Sequence, residues 1–200
     1  RFGTVTVYDR TSRDQLKTRV AEADIVVSSK TEWNAEALGW APRLKMIALT
    51  STGYNVVDLD AARDADVIVS NVPAYSTPDV AQMTFALLLE LCHHVGDHSR
   101  SVKEGGWSSC PDFCYWNTPL IELAGKTFGV IGYGRIGRAA AKLAAAFGME
   151  VLAFDKFAQD DGVARMVTLD ELLAQSDVIS LHCPLFPDTQ GIINRERSEE

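Results

Sequence analysis

The sequence predicts an α/β protein of two lobes, each a parallel sheet with crossover helices. Three observations carry this. Short apolar runs alternate with helical segments from Val5 to Val69. A proline-bounded break, Pro73-Ala74-Tyr75-Ser76-Thr77-Pro78, interrupts the alternation. A strand, glycine turn, helix, strand and acid then follow one another from Thr127 to Asp155. Alternating strands and helices are the pattern of a parallel sheet, and paired prolines mark a crossing between domains. The expected division is residues 1–76 and 77–200.

In the first lobe, Val5 to Tyr8 predicts a strand. Ser12 to Glu22 predicts an amphipathic helix, with Leu16 and Val20 four apart. Ile25 to Val27 is a strand running into Ser28-Ser29-Lys30. Trp33 to Leu38 is a short helix. Leu44 to Leu49 is a strand that enters Thr50-Ser51-Thr52-Gly53-Tyr54-Asn55. Asp58 to Arg63 is a helix and Val67 to Val69 a strand. Ligands of such sheets bind beyond the C-terminal strand ends. The loops at Ser29-Lys30 and Thr50 to Asn55 are therefore the candidate sites of this lobe.

Pro78 suits the first turn of a helix, where its missing N–H costs nothing. The helix that follows carries Val80, Met83, Phe85, Leu88, Leu89 and Cys92. That is more apolar surface than one sheet contact needs, so burial between lobes and a subunit interface both stay open. Gly105 to Pro119, with Trp107, Pro111 and Trp116, reads as an irregular loop.

The unit from Thr127 to Asp155 is the most informative stretch. Phe128 to Ile131 leads into Gly132-Tyr133-Gly134-Arg135-Ile136-Gly137, and Val151 to Phe154 ends in Asp155. This is the fingerprint of a Rossmann dinucleotide-binding unit. Gly132 permits the tight turn. Gly134 lets a pyrophosphate approach the backbone. Gly137 lets helix and strand pack closely. The helix N-terminus offers unpaired N–H groups to the phosphates. Asp155 lies at roughly the 20-residue offset where an acid accepts from the ribose hydroxyls. It would repel a 2′-phosphate, which favours NAD over NADP. Beyond it come an acidic loop at Asp160-Asp161-Gly162, a helix from Leu169 to Gln175, and a strand from Asp177 to Leu181 ending in His182-Cys183-Pro184-Leu185.

Composition narrows the function. A formal net charge of −8 without a basic cluster argues against nucleic acid as a partner. The apolar runs are too short for a membrane span. Cys92, Cys110, Cys114 and Cys183 show no paired metal spacing, so no metal is expected and reduced thiols of a cytoplasmic protein are. The chain opens on Arg1 without a leader and stops after Glu200 without a closing strand, so both lobes are expected to be incomplete.

A nucleotide lobe facing a second α/β lobe suits hydride transfer, because closure would exclude water. Such a reaction needs a cation to polarise a carbonyl and an acid/base for the proton. No convincing acid/base pair stands out. His93, His94 and His98 read as solvated or interfacial. His182 follows a strand end, where a shaping role is as open as a catalytic one.

GYNVVDLDAA, NVPAYSTPDVAQMTFALLLEL, PDFCYW, ELAGKTFGVIGYGRIG and SDVISLHCPLFPDTQGIIN together resemble the D-isomer-specific 2-hydroxyacid dehydrogenases. NVPAYST and PDFCYW are most similar to the glycerate dehydrogenase (hydroxypyruvate reductase) branch. The resemblance implies a flavodoxin-like substrate lobe and a Rossmann NAD-binding lobe. It implies a homodimer, joined through the helix after Pro78, that interconverts a small 2-oxo acid and a D-2-hydroxy acid with NAD. It places Lys30, Ser51, Thr52 and Gly53 at the substrate. It places Thr52, Gly132, Gly134, Arg135, Ile136, Gly137, Asp155, His182, Cys183 and Pro184 at the cofactor, with Cys183 a contact and not a nucleophile. The family's catalytic Arg, Glu and His fall after a further helix and strand. None is therefore assigned within these residues, and the 200 residues alone are expected to be inactive. Two alternatives remain: a corepressor-like NAD-binding regulator, and a nucleotide-binding fragment without catalysis.

Overall fold

The computed structural model describes residues 3–195 and 197. The chain divides into two compact units, Arg1–Tyr75 and Ser76–Glu200.

The first unit contains α1 (Arg13–Val20), β1 (Ile25–Ser28), α2 (Ala35–Gly39), β2 (Met46–Leu49), α3 (Leu59–Asp64) and β3 (Ile68–Ser70). Side-chain caps set the helix starts. Asn34 accepts from the Ala37 N–H at 3.0 Å, and Asp58 accepts from the Ala61 N–H at 3.0 Å. Each satisfies one of the orphan donors of a first turn. The strands pair in parallel in the order β1-β2-β3. Leu16, Val20, Trp33, Ile47 and Leu49 lie in one buried cluster. Ile25, Val27 and Ile68 are exposed, so one face of this sheet is open among the described residues.

Val5 to Tyr8 is not a strand. Its residues have β-rich chemistry, but no described strand pairs with them, and Val5 and Val7 are exposed. A strand is defined by its ladder, which side-chain preference alone does not supply.

The second unit contains α4 (Thr77–His93), α5 (Val95–Lys103), α6 (Gly106–Ser109), β4 (Thr127–Ile131), α7 (Arg135–Ala146), β5 (Glu150–Phe154), β6 (Arg165–Met166), α8 (Leu169–Gln175) and β7 (Val178–Leu181). Its parallel sheet has the order β6-β5-β4-β7. The order reverses between β5 and β7, on either side of β4. That is the switch point at which doubly wound sheets hold ligands. Ala140, Ala141 and Ala144 of α7 are fully buried beside Phe128 and Val130 of β4. Phe85 of α4 joins the same core, with its ring centroid 5.6 Å from that of Phe128. Ile131, Leu152 and Leu172 form a smaller cluster with partly buried Cys183 packed against it.

α4 behaves as its pattern predicts on one side only. Phe85, Leu88 and Cys92 are buried, whereas Val80, Met83, Leu87 and Leu91 are exposed. The segment read as an irregular loop from Gly105 to Pro119 carries α6 at its start. α5 and β6 also lie where no element was expected. His94, at φ +48°, ends α4 and begins α5, and His98 sits within α5. No described helix is long and apolar enough to cross a membrane.

Candidate cofactor site

The site of the second unit is built from the C-terminal ends of β4, β5 and β7. β4 ends at Gly132, whose φ is +95°. A Cβ there would lie 2.4 Å from the Cys183 backbone nitrogen and 2.6 Å from its Cα. The glycine turn and the loop after β7 are therefore packed backbone to backbone, with the His182 N–H donating to the Ile131 carbonyl at 2.7 Å. A Cβ on Gly137 would lie 2.2 Å from the Gly132 carbonyl oxygen. Both glycines are required by the protein's own packing.

Gly134 is different. Its φ of −79° and ψ of −159° are open to any residue, and a Cβ there would meet no protein atom within 4 Å. Folding does not demand glycine at this point. A group approaching the backbone from outside would, and the first turn of α7, at Arg135 and Ile136, stands beside it. The α7 N-terminus carries no acidic side chain in its first turn, so it keeps its positive dipole end for an anion.

Asp155 follows β5 and is partly buried. Its Oδ2 accepts from the Tyr133 N–H at 2.8 Å. Its Oδ1 accepts from the Phe157 N–H at 2.8 Å and the Ala158 N–H at 3.0 Å. A carboxylate offers about four lone-pair positions, so these three bonds leave acceptor capacity on Oδ2, beside the glycine turn. The acid thus ties the turn to the end of β5 and keeps acceptor capacity beside it.

Three residues of this region were not anticipated as a group. Tyr133 is 1% exposed and its hydroxyl donates to Asp161 Oδ1 at 2.8 Å. The Arg138 guanidinium lies 4.5 Å from the Tyr133 ring centroid and pairs with Asp161. Burial, then the bond to Asp161, pushes the Tyr133 hydroxyl pKa up. The same hydroxyl is the first cause holding Asp161 below the usual carboxylate range. The acidic loop at 160–162 is therefore fastened under the glycine turn. The available signal was the aromatic residue between the two glycines, which needs a partner for its hydroxyl when buried.

In the loop after β7, His182 Nε2 and Ser180 Oγ are 2.9 Å apart, and burial lowers the imidazole pKa. Burial raises the Cys183 thiol pKa, which disfavours a nucleophilic thiolate. Pro184 offers its carbonyl to Thr189 Oγ1 at 2.6 Å.

In the first unit, the loop after β2 is held by residues that follow β3. The Asn71 side-chain amide donates to the Thr52 carbonyl at 2.8 Å, and the Thr52 hydroxyl donates to the Val72 carbonyl at 3.1 Å. The Ser51 hydroxyl donates to the Gly53 carbonyl at 2.8 Å. Among the described residues, nothing accepts from the backbone N–H of Ser51, Thr52 or Gly53. Three successive N–H groups at the end of a parallel strand are thus left as available donors. Lys30 lies exposed after β1, with no ion-pair partner among the described residues. Asn71, as the positioning residue of this loop, was missed. Its place directly after a strand was the only clue. The described residues contain no cluster of His, Cys, Asp or Glu able to hold a metal ion.

The comparisons with known proteins agree with this geometry. Residues 85–200 match the NAD binding domain of the D-isomer specific 2-hydroxyacid dehydrogenases. A hydroxypyruvate reductase of Blautia hydrogenotrophica is 50% identical over 98% of this chain, and the match spans 62% of that protein. Among solved structures, an acyclic imino acid reductase in complex with NADPH and D-Arg superposes with a TM-score of 0.84 at 30% identity, covering 96% of this chain and 61% of the other. The D-lactate dehydrogenase of Aquifex aeolicus, complexed with NAD and lactic acid, gives a TM-score of 0.80 at 34% identity over 92% of this chain and 55% of its own. The chain thus spans about three-fifths of the length of the relatives it matches. A nucleotide turn at the switch point of a parallel sheet stands within the matched residues: the chain belongs to the D-isomer specific 2-hydroxyacid dehydrogenase family, and residues 85–200 match that family's NAD binding domain.

Proposed function

We propose that the protein is an NAD-dependent reductase of small 2-oxo acids, of the hydroxypyruvate or glyoxylate type, which it interconverts with D-2-hydroxy acids. The observation that carries the reading is Gly134, a glycine that the fold does not need and a bound pyrophosphate does. The likeness to the Blautia hydroxypyruvate reductase, at half of all aligned positions, directs the substrate choice.

NAD, when bound, supplies or accepts the hydride. Each residue then has a defined task. Gly134 admits the pyrophosphate to the N–H groups of Arg135 and Ile136. Asp155 accepts from a ribose hydroxyl and repels a 2′-phosphate. Since the imino acid reductase was solved with NADPH, the fold accepts either cofactor, and the choice in this chain rests on Asp155. His182, Cys183 and Pro184 form the shelf along the cofactor, held against Gly132. In the first unit, the N–H groups of Ser51, Thr52 and Gly53 receive the substrate carboxylate, and Lys30 adds positive charge. The exposed stripe Val80, Met83, Leu87 and Leu91, spaced at helical intervals, is the contact face of a homodimer.

The test, run on the full-length protein, is loss of NADH absorbance with hydroxypyruvate, glyoxylate and pyruvate, beside a titration of NADH binding. Hydroxypyruvate is expected to give the highest kcat/KM. Tight NADH binding with no turnover of any 2-oxo acid would refute the reductase reading and leave a nucleotide-binding regulator.

A further inference from the structure

Cys110 and Cys114 take no part in the cofactor or substrate loops. They flank the bend Pro111-Asp112-Phe113 between α6 and β4. The Cys110 sulfur lies 3.8 Å from the Cys114 carbonyl oxygen. That contact sets the Cys110 sulfur against the backbone of Cys114, four residues along the chain and across the bend. Disulfide-bonded cysteines have Cα atoms roughly 4.4–6.8 Å apart. A disulfide here requires the bend to hold the two Cα atoms within that range, and the sulfur-to-carbonyl contact already draws the two residues together.

The surroundings favour this pair over the other thiols. Cys114 is exposed and Cys110 half-buried, whereas Cys92 is buried in the core of the second unit. Cys183 is packed against Gly132 and its thiol is disfavoured as a thiolate. Both ends of the bend are already anchored. The Cys110 N–H donates to the Trp107 carbonyl at 3.1 Å. Tyr115 donates its hydroxyl to Ser101 Oγ at 3.2 Å and stands edge-on to Trp107, with ring centroids 6.1 Å apart. A ring closed between anchored ends loses little further chain entropy.

We propose that Cys110 and Cys114 form a reversible intramolecular disulfide by exchange with a low-molecular-weight disulfide. The exposed Cys114 thiolate attacks one sulfur of the small disulfide, and a small thiolate leaves. The Cys110 thiolate then attacks the Cys114 sulfur of the mixed disulfide, and the second small thiolate leaves. The two protons released by the cysteines end on the two small thiols. The protein pair is oxidised by two electrons and the small disulfide is reduced by two. Closure staples the base of the bend whose tip carries the fully presented Phe113, 89% exposed.

The test uses oxidised glutathione, followed by alkylation under denaturing conditions and peptide mapping of the whole protein. The expected product is a Cys110–Cys114 peptide lighter by two hydrogens, with Cys92 and Cys183 alkylated. Cys110→Ser should accumulate a glutathione adduct at Cys114, where the wild type retains none. Should that variant not fold, Cys110→Ala gives the same readout at Cys114. A persistent adduct on the wild type, a disulfide-linked dimer on a non-reducing gel, or full alkylation of all four cysteines overturns the proposal.

Discussion

Replacing Gly134 by Val separates a glycine kept for a ligand from glycines kept for the fold. The backbone at Gly134 is extended, so a β-branched residue enters it without strain. No protein atom lies within 4 Å of the new Cβ. What is lost in the free protein is the small N-cap preference for Gly over Val, at most about 1 kcal/mol. The bound state fares worse. The isopropyl group occupies the path by which a pyrophosphate would reach the α7 N–H groups. Losing one charge-assisted hydrogen bond there costs about 1.5–3 kcal/mol, a 10- to 100-fold weakening. Gly137→Ala reverses the pattern, because its Cβ would sit 2.2 Å from the backbone oxygen of Gly132. That oxygen has no rotamer to escape into, and overpacking of this kind costs about 1–3 kcal/mol or more.

The assays are a fluorescence titration with NADH and a urea unfolding curve for each variant. Gly134→Val should lose affinity with at most a small fall in its urea midpoint, whereas Gly137→Ala should lower the midpoint further and keep more of its affinity. Wild-type NADH affinity in a folded Gly134→Val protein would show that the nucleotide does not lie on this turn.

Other expectations follow from the same geometry. The wild type should prefer NADH to NADPH, and Asp155→Ala should narrow the ratio of kcat/KM values by about tenfold or more, since an acid facing a phosphate in a partly screened site is worth at least about 1.4 kcal/mol. Equal use of both cofactors by the wild type removes Asp155 from that role. Tyr133→Phe deletes the main cause that holds Asp161 below its usual range. That contribution to stability is present above the unfolded carboxylate value of about 3.9 and is lost as pH falls through the lower folded value. The fall in urea midpoint on the acid side should therefore flatten in the variant, and an unchanged acid limb would disprove the coupling. Leu87→Glu places a charge in the exposed stripe of α4 and should convert a dimer to a monomer in sedimentation. A persistent dimer would move the contact elsewhere.

How much of the fold could be read from sequence depended on whether a segment's partners were also visible. α2, α3 and α8 begin where Asn34, Asp58 and Thr168 cap them, a local signal with a local cause. β4 and α7 were legible because the glycine turn joins them. Val5 to Tyr8 misled because its composition is that of a strand, while strand formation depends on a neighbour the local sequence does not reveal. α5 was invisible for the opposite reason. It buries none of its residues and carries only Val95 and Val102 as large apolar side chains, too few to declare a core-facing helix. β6 has only two residues, fewer than any alternation can declare.

The site divides along a related line. Glycine spacing announced three residues with one apparent purpose, yet their surroundings separate them. Gly132 and Gly137 answer to protein atoms at 2.4 and 2.2 Å, and Gly134 answers to none. Asp155 likewise does more than the motif says. Its three backbone bonds make it a brace for the turn, beside the ribose role proposed for it. A substitution chosen only for cofactor choice will therefore also loosen the turn that binds the pyrophosphate. Asp155→Asn keeps one acceptor oxygen and separates the two effects better than Asp155→Ala. The motif encodes a position for the acid, while the donors that converge on it come from Tyr133, Phe157 and Ala158, residues the motif leaves free to vary. Such convergence belongs to the folded backbone. That is why the cofactor turn was legible and the Tyr133–Asp161–Arg138 fastening beneath it was not.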